Sequence, residues 1–112
     1  MALRVIKVVD ALSRSRTADV IGRQVLRSAT SVAANYRAAC MAQSRADMIR
    51  KLKIVEEEAD ETVFWLELLV ESDLVPKQKL EQLTQEAKEI LKMTIASIKT
   101  LKSKRQVVAK NQ

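Results

Sequence analysis

Apolar side chains recur along this chain at steps of three and four, and four segments carry that period. The first spans about residues 2–13, with Val5, Val9 and Leu12 on one face and Ile6 and Val8 beside it. The run SRSRT breaks the pattern, and Ser15 or Thr17 can cap the next helix by accepting from a first-turn N–H. The second segment, about 18–41, aligns Ile21, Val25, Ala29, Val32, Tyr36 and Ala39. Ser44 followed by Asp47 resembles a capping box and opens a third helix over about 45–72. Its line Met48, Leu52, Val55, Ala59, Thr62, Leu66 and Leu69 alternates four and three, a coiled-coil-like seam. Pro76 sits where a first helical N–H is dispensable, and a fourth helix follows over about 76–103. It carries Leu80, Leu83, Ala87, Ile90 or Leu91, Thr94, Ile98 and Leu101, and residues 104–112 are expected to fray. Long helices with short connections predict one all-α domain over residues 1–112, an antiparallel up-down four-helix bundle.

Two patterns exceed what one bundle needs. On a wheel of about 100° per residue the seam of the third helix stays within about 60° of Met48, while Phe64 and Leu68 fall near 160° and 200°. Ile54 and Trp65 lie at the side. A helix apolar all round is buried all round, so Ile54, Phe64, Trp65 and Leu68 are the expected interface of a homo-oligomer. From Ser28 to Ala34 every residue except Val32 is Ser, Thr or Ala, which lets helices approach closely between chains or within one. Gly22 has two readings: a close backbone approach, or a tolerated defect worth about 1 kcal/mol.

Composition removes several chemistries. One Gly and one Pro leave the helices uninterrupted. Histidine is absent, which excludes His-based nucleophilic catalysis and the Glu-x-x-His pairs of di-iron bundles, so Glu56, Glu57, Glu58, Asp60 and Glu61 are not expected to hold a metal. The single cysteine, Cys40, follows Ala38 and Ala39 and is expected to pack as a small buried residue. No apolar run approaches a spanning length, and a cytoplasmic protein is expected, with no enzymatic role and no cofactor.

Charge is unevenly spread. Residues 1–54 hold eleven bases and three acids, residues 55–76 eight acids and no base, and residues 77–112 nine bases and three acids. The acids can pair with Arg27, Arg37 or lysines of neighbouring helices, within or between chains. The basic surplus, net +6, can instead bind phosphates. The candidates for nucleic-acid contact are Arg4, Arg14, Arg16, Lys99, Lys102, Lys104 and Arg105, which would touch phosphates and read little sequence.

The pieces RSATSVAANYR at Arg27–Arg37, SRADMIRKL at Ser44–Leu52 and EADETVFWLELL at Glu58–Leu69, in this order and spacing, resemble a bacterial four-helix-bundle family. That family includes proteins encoded in large-subunit rRNA intervening sequences. The resemblance implies a cytosolic up-down bundle assembling as a homopentamer. Relatives include accessory proteins of diversity-generating retroelements, basic pentamers that bind nucleic acid and a reverse transcriptase. It marks Arg27, Asn35, Tyr36, Arg37, Glu61, Trp65 and Glu67 as signature positions, with Ala38 where relatives often carry Glu. Arg27, Asn35, Arg37 and Glu61 are expected to form a structural polar network, with Asn35 bonding across helices and Arg37 pairing with an acid of the third helix. Two functions follow: a self-assembling scaffold that binds RNA or DNA, or an adaptor that docks another protein.

Overall fold

The computed structural model describes the backbone of residues 1–110 and the side chains of residues 1–104. Within them the chain forms four helices, α1 (Ala2–Ala11), α2 (Arg16–Cys40), α3 (Arg45–Glu71) and α4 (Lys77–Lys110), and no strand. They pack as an elongated bundle of 59 × 22 × 18 Å.

Side-chain caps fix two starts. Ser15 Oγ accepts from the Ala18 N–H at 3.0 Å, so α2 begins two residues before its expected start. Ser44 Oγ accepts from the Asp47 N–H at 3.1 Å. Asp47 does not close the reciprocal half of the box, because its carboxylate binds Arg50 and, at 3.1 Å, Lys51. Arg50 first and Lys51 second hold that carboxyl below its ordinary range. At the other end of α3, Asp73 turns left-handed at φ 61°, and the Leu74 N–H reaches back to the Leu69 carbonyl at 3.1 Å. α4 runs past its expected end at Ser103 to Lys110, since Lys, Arg, Gln and Ala favour helix and no Gly or Pro intervenes.

The core is three clusters in series. Ile21, Val25 and Ala29 meet Leu66, Leu69, Leu80 and Leu83; Val32 meets Val55, Ala59 and Ile90; Ala39 meets Ile49, Leu52 and Ile98. As position rises along α2, its partners descend α3 and ascend α4. Helix α3 therefore supplies the floor, packed against both α2 and α4, while α1 lies on α2. Val5 of α1 is fully buried in the first cluster. Gly22 marks a close approach: a Cβ there would sit 3.2 Å from Leu12 Cδ1 and 3.4 Å from Val9 Cγ1.

Three expected core positions differ. Met48 is half-buried, and Ile49 beside it takes the core place. Tyr36 and Cys40, expected inside, are exposed. Both lie beyond the stretch of α2 against which α1 packs, which runs from Gly22, beside Val9 and Leu12, to Val32, beside Met1.

Candidate interaction surfaces

Four features occupy the surface. The first is a charged knot where α2 crosses α3. Arg27 donates to Glu58 Oε2 at 3.0 Å, to Glu61 Oε1, and to Gln24 Oε1 at 3.0 Å. Trp65 Nε1–H donates to the same Glu61 oxygen at 3.1 Å. The Arg27 guanidinium first, and the indole second, hold the Glu61 carboxyl below its usual range. Beneath the knot, Thr62 Oγ1 lies 2.9 Å from Ser28 Oγ, and both side chains are buried.

The expected polar network is thus brought together in part. Arg27 and Glu61 meet, with Glu58 as a third member. Asn35 does not reach across helices: its Nδ2 donates to the Ser31 carbonyl at 2.9 Å and to Ser31 Oγ at 3.1 Å, one turn back on α2. Arg37 is exposed and, among the described residues, forms no ion pair. Ten residues beyond Arg27, about 15 Å along α2, it lies too far from Glu58 and Glu61.

The second feature is an outward ridge on α3. Phe64 is 54% exposed, and its ring meets Trp65 edge-on with centroids 4.9 Å apart. Ile54, Trp65 and Leu68 are half-buried. Trp65 and Leu68 pack partly on the chain's own core, since α2 overlaps that flank of α3. Glu57, Asp60 and Glu67 surround Phe64 and are exposed.

The third is an apolar groove of about 320 Å³ between α2 and α4, lined by Val32, Ala33, Tyr36, Ile90, Met93 and Ser97, with Leu52 of α3 in its wall. Met1 and Ala2 border its end. A second hollow of about 410 Å³ continues it past Cys40 and Leu101.

The fourth is basic. At about 100° per residue, Lys88, Lys92, Lys99 and Lys102 share one exposed stripe of α4. Lys53 of α3 crowds Lys102: like charge and direct approach lower the Lys102 ammonium from its ordinary value, against an opposing pull from Glu56. Of the expected phosphate contacts, Lys99, Lys102 and Lys104 lie near the Ala39 cluster. Arg14 and Arg16 are exposed at the other end of α2, so the set is not one patch. Arg4 is engaged, its Nη1 2.8 Å from Glu86 Oε2, while Glu86 also meets the Met1 amino nitrogen at 3.0 Å. Arg105 lies outside the described side chains. Sequence reasoning missed Lys53, because only the register of α3 against α4 brings it to Lys102.

Among the described residues, no group of three or more His, Cys, Asp or Glu side chains is placed to hold a metal. No described helix is long and apolar enough to cross a membrane. Fold and surfaces together define a small all-α bundle whose distinctive features are exposed faces. The chain belongs to the 23S rRNA-intervening sequence protein family, whose model matches residues 1–96. Among solved structures it is similar to a protein of unknown function from the S23 ribosomal protein family of Bacteroides thetaiotaomicron. The two share 41% identity over 88% of this chain and 91% of that one, with a TM-score of 0.81. No curated protein matches the chain.

Proposed function

We propose that this chain is a non-enzymatic, cytoplasmic scaffold, an antiparallel up-down bundle that self-assembles and binds RNA or DNA through its basic faces. The exposed stripe of Lys88, Lys92, Lys99 and Lys102 on α4, with Lys53 of α3 beside Lys102, carries the nucleic-acid reading. Neighbouring ammonium groups repel, and a phosphate oxygen between them relieves that repulsion. The lysine stripe of α4 extends the positive surface along the helix. The names borne by the family and by its solved relative, which refer to ribosomal RNA and to ribosomal protein, support the same direction. Self-assembly rests on the exposed Phe64 ridge and the open apolar groove, with five copies as the number implied by the family resemblance.

Titration with single-stranded RNA and duplex DNA at two salt concentrations tests the phosphate reading. Binding at low salt should weaken steeply as salt rises, with log K falling by about 0.9 per unit of log salt for each duplex phosphate neutralised. Lys53→Gln with Lys102→Gln should flatten that slope. Absence of binding at low salt would reject the nucleic-acid role. It would leave the adaptor reading, for which the acidic α3 face around Phe64 is the specific support.

A further inference from the structure

The groove and the ridge are both apolar at the centre and carry opposite charge at the edge. The groove is a channel between α2 and α4 walled by apolar side chains, with Tyr36 and Met93 standing 55% and 69% exposed at its edges. Met1 and Ala2 border one end of it, and α1 runs away from it along α2. On α3, Leu52 lines this channel, while Phe64 and Leu68 lie about 120° and 160° further round the helix. Phe64 also lies twelve residues, about 18 Å, further along α3 than Leu52, so ridge and groove occupy different sides of the bundle at different levels of its axis.

We infer that the Phe64 ridge of a second copy of this chain seats in the α2/α4 groove, so that copies join head to tail. The reading rests on the self-assembly proposed above and names the two faces that meet. Charge selects the occupant. Arg37 follows Tyr36 on the α2 rim and has no ion-pair partner among the described residues. Glu57 and Asp60, seven and four residues before Phe64, are exposed and equally without an ion pair there. Docking gives Arg37 the α3 acid that its own chain does not supply. The α4 rim carries Glu89 one turn before Met93, so the acidic flank of the ridge faces α2. An aromatic anchor in an apolar pocket with a charged rim is the usual anatomy of a binding hot spot. Because the two faces differ, each copy offers one ridge and one groove, and the contact is heterologous: it closes into a ring where its rotation allows and otherwise continues as an open chain.

The test uses one ridge variant, Phe64→Glu, and one groove variant, Tyr36→Glu with Met93→Glu. All three side chains are exposed, so helicity should hold; Ala33→Glu serves as a second groove variant if it does not. Mass is measured by light scattering for the native protein, each variant alone, and an equimolar mixture. The native protein should be a multimer and each variant a single 12.6 kDa chain. The mixture should form a species of two chains, because one intact ridge then meets one intact groove. A native multimer with variants that still assemble, or with a mixture that stays monomeric, overturns the ridge-in-groove pairing and leaves self-assembly standing. A native monomer overturns both.

Discussion

Thr62 and Ser28 share a hydroxyl–hydroxyl bond of 2.9 Å across the α2–α3 seam, with no solvent exposure on either side chain. Their two protons face three acceptors, since the Glu58 carbonyl lies 2.8 Å from Thr62 Oγ1 and the Val25 carbonyl 3.2 Å from Ser28 Oγ. The chain Thr62 to Ser28 to the Val25 carbonyl uses both protons. Each hydroxyl also has a fallback on its own helix, which keeps the cost of losing one partner small.

That arrangement predicts a non-additive pair. Thr62→Val and Ser28→Ala should each destabilise by roughly 0.5–1.5 kcal/mol, and the double variant by less than the sum. Urea melts of the four proteins measure the coupling. A coupling of zero would mean that the inter-helix bond contributes nothing.

Arg27 predicts an acid-sensitive crossing. Arg27 and Trp65 lower the Glu61 carboxyl in the folded chain. Folded Glu61 thus binds fewer protons than unfolded Glu61 near the ordinary glutamate value of about 4.3, and unfolding takes up protons. Its stabilisation is present above that value and is lost as pH falls through the lower folded one. Glu86, lowered first by the Met1 amino group, and Asp47, lowered first by Arg50, act with the same sign. The Tm should therefore decline below about pH 4.5, and Glu61→Gln should make the decline shallower. Because Arg27 and Glu61 are 46% and 36% exposed, added salt should shrink the difference between variant and native protein.

Asp73 predicts a stabilising change. Its φ of 61° costs a residue with a Cβ roughly 1–2 kcal/mol, less for aspartate, whereas glycine adopts it freely. Asp73→Gly should raise stability by about 0.5 kcal/mol after the entropic cost of glycine. Thermal melts at fixed protein concentration check the sign.

Much of the fold was legible because buried spacing and capping are local. The line from Leu52 to Leu69 on α3, the Ser44 cap and the four helix positions follow from periods and oxygen-bearing residues. Tyr36 and Cys40 were misplaced for a non-local reason. They carry the right period, but whether that face is covered depends on which stretch of α2 packs against other helices. Asn35 went the same way, because an amide near a seam can bond a neighbouring helix or its own previous turn, and Ser31 at i−4 was the nearer partner. The Arg27–Glu61 contact was accessible from charge segregation, whereas the Lys53–Lys102 crowding needs the register of two helices. The α2/α4 groove had no sequence signal, since it is set by how the helices lie against one another.

Light scattering on the native protein across a concentration series tests the central claim most directly. Self-assembly predicts a mass several times the 12.6 kDa of one chain, retained at micromolar concentration and lost in Phe64→Glu. A native mass of 12.6 kDa throughout that series would contradict it.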